Sequence, residues 1–433
     1  MTRMQRTAIV WILLTSGFSI WWGSSVGPAM DKWVDFKHIY YGTRCLIQHR
    51  NPYNVSELEG VYRAEGGERP SETLAAHQAV TIYRNLPATF IFVAPFAMLP
   101  WGPALLLWMM LTAGVFILAA LLMWNIGESY APNVSLFLIC ILLANCEMIF
   151  GSGNTAGIAV GLCVVAVWCF LQERFVLAGV LCLALSLAIK PHNAGLVWLY
   201  FLLAGGAYRK RALQALLITS VLSLVAILWV TPIAPHWMQE LNANMLTTSA
   251  HGGINDPGPT SETGRYAYMI IDLQAAISVF RDDPRIYNPV SYLACGALLL
   301  VWSVRTIRAR FSPSKAWIAL AAVVPLTLLV TYHRPYDAKL LLLTIPACAM
   351  LWAEGRLIRW IAVLVTTAGV VLTADIPLAL LVIFTRDLSI NTASLSGLIL
   401  KAVLTRPTPL ILLAMSIFYL WIYLRCDPER GLP

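Results

Sequence analysis

A carboxylate stands close behind the first apolar segment of this chain. Residues 8–27 are nearly all apolar and long enough to cross a bilayer, and Asp35 then opens the run Asp35-Phe36-Lys37-His38-Ile39-Tyr40-Tyr41-Gly42. That puts Asp35 about where lipid headgroups begin, on a chain whose Asp and Glu number only 22. Partial dehydration makes a carboxylate a better proton acceptor, so one at that depth is placed to act as a general base on something a lipid carries. Lys37 and His38 beside it oppose that effect. Asp is also a favoured helix N-cap, so Asp35 reads either as a base or as a cap.

Two further turns carry cations at the ends of apolar hairpins, Lys190-Pro191-His192-Asn193 and Thr331-Tyr332-His333-Arg334-Pro335-Tyr336-Asp337. Such cations either snorkel to headgroups or bind an anion, for which a lipid phosphate is the natural candidate. Lys190, His333 and Arg334 are the candidate phosphate ligands. Asn154, in Gly151-Ser152-Gly153-Asn154, binds a sugar hydroxyl or caps the next helix. Arg84, ahead of Leu86-Pro87, reaches the same cavity or anchors its own segment. With them, His38, Tyr41, His192 and Tyr336 make up the candidate substrate-binding set. The outer loop holding His251-Gly252-Gly253 and Asn255-Asp256-Pro257-Gly258 is a lid or only a connection. The competing acids are Asp256, Asp272 and Asp337, the last expected to pair with Arg334 or Lys339. No HExxH, GxGxxG, Walker loop or nucleophile elbow occurs. The outer-face histidines are too scattered to mark a metal site, so neither metal nor cofactor is expected.

The elements that position these residues follow from composition. Hydrophobic residues are 59% and charged residues 12%, with a mean hydropathy of +0.71, which describes an all-α integral membrane protein. The 16 Trp and 16 Tyr suit membrane interfaces. Residues 1–7 are basic, but the apolar segment after them is too long and lacks a small-residue cleavage site, so it reads as a retained helix. The net charge of +8 is a topology signal, because a nucleic-acid surface would need a soluble basic domain. Nine Cys without CxxC spacing are packing residues, with only Cys45 expected to be exposed.

Apolar runs after the first cover 103–124, 133–150, 156–172, 175–189, 192–206, 212–231, 288–304, 316–331, 338–352, 357–373 and 408–424. The basic clusters Arg3/Arg6, Arg174, Arg209-Lys210-Arg211, Arg305/Arg308/Arg310, Arg356/Arg359 and Arg425 should all be cytoplasmic. They fall on one side only if 86–100 lies in the outer interface instead of crossing. The expected architecture is then about twelve transmembrane helices in one domain, 1–433, with both termini cytoplasmic. The outer face holds the first loop, 28–102, the second, 232–287, and the segment 374–407. Within the first, Asp35 to Gln48 has the spacing of an interfacial helix, and 54–72 reads as a loop.

The order of these motifs resembles a known group: DFKHIYYGTRCLIQHRNPY after the first helix, a Pro-rich apolar segment from Leu86-Pro87 to Leu99-Pro100, GSGN, AIKPHNAG and TYHRPYDAKLLLL. Over roughly residues 1–350 the chain is similar to glycosyltransferase family 87 of the GT-C superfamily, which includes mycobacterial polyprenyl-phosphate-mannose-dependent mannosyltransferases. The resemblance implies a GT-C-like bundle in the bacterial plasma (inner) membrane with an extracytoplasmic active site. It further implies metal-independent, inverting transfer of a sugar, mannose or a relative, from a polyprenyl-phosphate donor to a lipid or glycan acceptor. Asp35, Lys190 and His333 match the family's acidic, Lys-Pro and His positions. GSGN replaces the commoner Gly-Gln-x-Asn, and Arg84-Asn85-Leu86-Pro87 a commoner Tyr-Pro-Pro. A transporter or flippase for a lipid-linked or small anionic solute is the alternative, but it should show mid-membrane ionisable residues and repeat symmetry. Here the ionisable residues gather at one face and no repeat is visible.

Overall fold

The computed structural model describes residues 2–26, 32–65, 74–259, 270–355, 357–385 and 392–426. Arg356 and stretches of the long polar segments (27–31, 66–73, 260–269 and 386–391) lie outside them. Every regular element among the described residues is a helix, with no strand among them. Among the described residues, seven helices are long and apolar enough to cross a membrane: Arg3–Ser25, Trp101–Gly127, Pro132–Ser152, Gly206–Val230, Pro284–Arg308, Pro313–Val330 and Pro407–Arg425. Shorter apolar helices, among them Ala156–Leu171 and Val176–Ile189, fill the spaces between, and Ile358–Leu372 meets Asp375–Thr385 at a 76° bend. The helices at Pro132, Pro191, Pro284, Pro313 and Pro407 each begin with proline in the first turn, where a missing N–H costs nothing.

Burial separates the core from the perimeter. Pro313–Val330 has 78% of its apolar window buried, whereas Gly206–Val230 has 17% and exposes Leu217, Leu224 and Leu228. The first is small-residue rich (Ala316, Ala319, Ala321, Ala322), which lets Pro407–Arg425 approach until Ser416 donates to the Ala322 carbonyl at 2.8 Å. The second presents the unbroken leucine surface that only lipid or another apolar layer can cover.

The helices run between two chemically different ends. At one end Gln5 reaches Glu128, Arg211 reaches the Phe170 carbonyl and Glu173, and Arg305 reaches the Tyr423 and Cys426 carbonyls. The other end carries the turns after Ser152, Ile189 and Val330. The basic clusters that anchor loops are thus remote from the turns that hold the candidate site.

A layer of short helices covers the site end: Val34–Ile47, Val55–Ala64, Leu74–Thr81 and Ala88–Ala97. Both ends of the Ala88–Ala97 segment touch Val34–Ile47. Tyr83, before it, stacks on His38, while Arg44 and Tyr40 donate to the carbonyls of Ala97 and Leu99 after it. It therefore returns along one short helix instead of leading to the far end. Residues 55–64 are helical, not a loop, because the Asn54 side chain accepts from the N–H groups of Ser56 and Glu57. Cys45 is fully buried, because its helix is roofed by the others instead of lying bare.

Candidate active site

The site begins with a close approach of two backbones. Gly153 sits at φ +67°, where a side chain is strained, and an added Cβ would lie 2.7 Å from the Phe36 Cβ. Glycine alone lets the 151–154 turn dock on the start of Val34–Ile47, where Trp33 N–H donates to the Gly151 carbonyl (2.7 Å) and Trp108 Nε1 to that of Gly153 (2.9 Å). Trp33 occupies the N-cap position without a side-chain cap, and Asp35 lies inside the first turn. The cap reading of Asp35 is thereby excluded; its carboxylate gains only the favourable helix dipole.

Docking brings Asn154 to Asp35. The Asn154 Oδ1 accepts from the Ala156 N–H at 2.8 Å and from Lys190 Nζ at 3.3 Å, so its NH2 faces Asp35 Oδ2, 2.8 Å away. Asn154 thus satisfies the first N–H of the next helix, whose N-cap position is Thr155, and joins the two candidate groups at once. Lys190 in turn pairs with Asp337 Oδ1 at 2.5 Å. Asp337 is buried and held by two further donors: Asn193 donates to Oδ1 (2.9 Å) and the Arg334 N–H to Oδ2 (3.0 Å). Burial pushes the Asp337 carboxyl up, but Lys190, His333 and His192 outweigh it and hold the acid well below the usual carboxylate range. The expected partners of Asp337 were Arg334 or Lys339. Arg334 contributes its backbone N–H, Lys190 takes the ion pair, and Lys339 lies beside Asp375 instead.

These groups border a cavity of about 380 Å³. Asp35, His38, Arg84, Asn154, Lys190, His192 and Tyr336 all line it. Asp35 is the one carboxylate in that lining among the described residues, and its Oδ1 makes no hydrogen bond there. Lys190 lies over the Tyr336 ring, 4.6 Å from its centroid, a cation–π contact that holds the ammonium at the wall. Arg84 spends one donor on the Ala79 carbonyl, at 3.4 Å. His333 and Arg334 stand behind this wall. The His333 ring is buried 5.0 Å from that of His192, and Arg334 bonds to the Tyr332 hydroxyl and the Ile254 carbonyl. Tyr41 is outside the cavity, packed against Tyr62 and Trp101. The loop at 251–258 is pinned by Asp256, which accepts from the Tyr287 hydroxyl and the Gly252 N–H.

The family model of glycosyltransferase family 87 matches residues 85–331. The chain belongs to glycosyltransferase family 87. It is thus a membrane glycosyltransferase by family, and its multiple apolar helices agree. The match is narrower than the resemblance read from the motifs: it takes in Asn154, Lys190 and His192 but leaves out Asp35, Arg84, His333, Arg334 and Tyr336. No curated protein and no solved structure matches the chain. Asn193, Tyr332 and Asn255 had not been singled out. Asn193 sits in the KPHN turn, so its position was visible, but its partner Asp337 is 144 residues away.

Proposed function

We propose that this family 87 enzyme transfers a sugar from a polyprenyl-phosphate donor to a hydroxyl of a lipid or glycan acceptor, with inversion and in one displacement. The observation that carries this reading is the hydrogen-bonded line Asp35–Asn154–Lys190 along one cavity wall. It sets a carboxylate with a free oxygen one amide away from an ammonium. Asp35 takes the proton of the acceptor hydroxyl as its oxygen attacks the anomeric carbon. The bond from that carbon to the phosphate oxygen breaks, and its electron pair leaves with the phosphate. Lys190 meets the growing negative charge, a fixed electrostatic contribution in a partly dry site. Arg84 and His192 border the same space, while His333 and Arg334 set the field and hold the wall from behind. Asp337 is less suited to be the base because it is buried, stands outside the cavity lining and is already paired with Lys190.

The remoteness of the basic clusters from the cavity supports the site end as extracytoplasmic, with both termini cytoplasmic and about twelve crossings in a bacterial plasma membrane. Val34–Ile47 and Ala88–Ala97 then lie in the outer interface, where a lipid-borne phosphate arrives. The test supplies membranes containing the protein with radiolabelled polyprenyl-phosphate mannose, then other sugars on the same carrier. Label should pass to an acceptor lipid or glycan only when the protein is present. Label that stays on every carrier would overturn the reading.

A further inference from the structure

Arg84 stands in the turn between Leu74–Thr81 and Ala88–Ala97, and that turn is clamped on both sides of it. Asn244 donates to the Tyr83 carbonyl at 2.9 Å, and the Tyr53 hydroxyl donates to the Asn85 carbonyl at 3.1 Å. The Tyr83 ring stacks on His38 and on Phe90, with centroids 4.8 and 4.9 Å away. Gly42 makes room for it, since an added Cβ would lie 2.3 Å from that ring. The backbone that carries Arg84 is thus fixed, and the half-buried side chain lines the cavity together with Asn85 and Leu86. Its charge reaches two other parts of the lining. Burial, and then the Arg84 guanidinium, lower the His38 imidazole to about 3. Burial raises the Tyr332 phenol, and Arg334 and then Arg84 oppose that rise.

What Arg84 lacks is a counter-ion. Among the described residues its one hydrogen bond is a long one, 3.4 Å from Nη1 to the Ala79 carbonyl, and no carboxylate pairs with it, Asp35 included. A guanidinium offers five N–H donors and stays charged at any working pH. The other ammonium or guanidinium of the lining, Lys190, is already matched by Asp337. Without Arg84 the lining would be left with the negative charge of Asp35 and would repel an incoming anion. The wall beside Arg84 is apolar: Leu86 is 47% exposed and Met245 49%, and both line the cavity. A fork-shaped cation next to apolar surface fits a phosphate carried on an apolar chain better than a free inorganic ion.

We propose that Arg84 is the cation that receives the donor's phosphate, with Lys190 completing the site. This rests on the transferase reading above. Charge balance gives Arg84 a part in the chemistry as well as in binding. Before transfer the donor's phosphodiester carries one negative charge and Asp35 another. The acceptor hydroxyl gives its proton to Asp35 while its oxygen bonds to the anomeric carbon. The bond from that carbon to the phosphate oxygen breaks, and its electron pair stays on the phosphate. Asp35 ends neutral and the phosphate ends as a dianion, so one unit of negative charge passes from one to the other and the total is unchanged. The attraction of Arg84 for the phosphate grows in that step, which makes Arg84 a catalytic residue and not only a binding one.

The experiment compares wild type with Arg84→Gln and Arg84→Met, two uncharged side chains of similar reach of which one folded variant suffices, and with Arg84→Lys, which keeps the charge but loses the fork. Binding of farnesyl phosphate, farnesol and inorganic phosphate is followed by tryptophan fluorescence, with circular dichroism and thermal midpoints as fold controls. Farnesyl phosphate should bind wild type better than either control. The uncharged variants should weaken it by about tenfold and leave farnesol unchanged, with Arg84→Lys between them and wild type. With radiolabelled polyprenyl-phosphate mannose and an envelope-lipid extract, the uncharged variants should lower kcat and raise donor KM while KM for the extract holds. Equal binding of farnesyl phosphate by wild type and a folded uncharged variant would overturn the proposal, as would inorganic phosphate that binds as tightly as farnesyl phosphate. A rise in KM for the extract alone would move the phosphate to the acceptor and overturn the donor assignment. Wild type that binds farnesyl phosphate through Arg84 but moves no label would defeat the transferase reading and leave the phosphate site standing.

Discussion

Lys190 serves two masters. Its ammonium is assigned to the donor phosphate, yet it also neutralises Asp337, whose side chain is 1% exposed. Removing one partner of such a pair leaves the other charge buried, at a cost of about 3–5 kcal/mol. Lys190→Met should therefore lose both turnover and thermal stability. Adding Asp337→Asn should restore most of the stability without restoring turnover, since the phosphate still lacks its cation. Thermal midpoints and initial rates for the two single variants and the double variant complete the cycle. Turnover that returns with stability would reduce Lys190 to a structural counter-ion. This pairing was beyond the reach of the sequence, because Lys190 and Asp337 lie 147 positions apart and the nearer charges Arg334 and Lys339 compete on paper.

At the scale of elements, apolar runs were the legible part. The helices Ala156–Leu171, Val176–Ile189 and Pro407–Arg425 lie within a residue of the runs that predicted them, because a lipid-facing or core-facing helix must be apolar throughout. Polar helices carry no such mark. Val55–Ala64 was missed although Asn54 and Glu57 stand at capping-box spacing. The 151–154 turn was visible as a motif, but its contact with Phe36 was not. Gly153→Ala should push that turn off Val34–Ile47 and carry Asn154 away from Asp35. Misplacement of about 1 Å can cost on the order of a hundredfold in rate, so kcat should fall far more than donor KM rises. A wild-type kcat in Gly153→Ala would mean that the docking does not set the catalytic geometry. The same helix has a pH signature. In the unfolded chain His38 takes up a proton near pH 6.5, but in the fold only near 3. The neutral ring's contribution is therefore fully present above pH 6.5 and declines as pH falls toward 3, by at most about 1.4 kcal/mol per unit. Between pH 7 and 5 the thermal midpoint of wild type should drop more than that of His38→Phe. Parallel curves would show that His38 titrates normally.

For the whole molecule, alternation decides which end faces which compartment. Trp101–Gly127 begins beside the site-end helix, where Phe36 and Tyr41 pack on Trp101, and ends at Glu128, which Gln5 reaches from near the N-terminus. If the site end is extracytoplasmic, Glu128→Cys should resist an impermeant thiol reagent added outside intact cells and react after permeabilisation. Labelling from outside would place the site end in the cytoplasm and turn every basic cluster outward. The single polypeptide thus has a division of labour. Well-packed central helices such as Pro313–Val330 fix the cation turns from below, and the short helices of the first loop bring the carboxylate to them from above. Composition announced the bundle, but that these two parts share one cavity emerged only from the three-dimensional arrangement.

If Asp35 is the base of that cavity, its isosteric amide should silence the enzyme without changing its shape. Asp35→Asn keeps the shape and a hydrogen-bonding side chain beside Asn154 but offers no proton-accepting carboxylate. With radiolabelled polyprenyl-phosphate mannose, the variant should bind donor with near wild-type affinity and transfer none of it above background. Near wild-type turnover in Asp35→Asn would mean that another group takes the acceptor's proton.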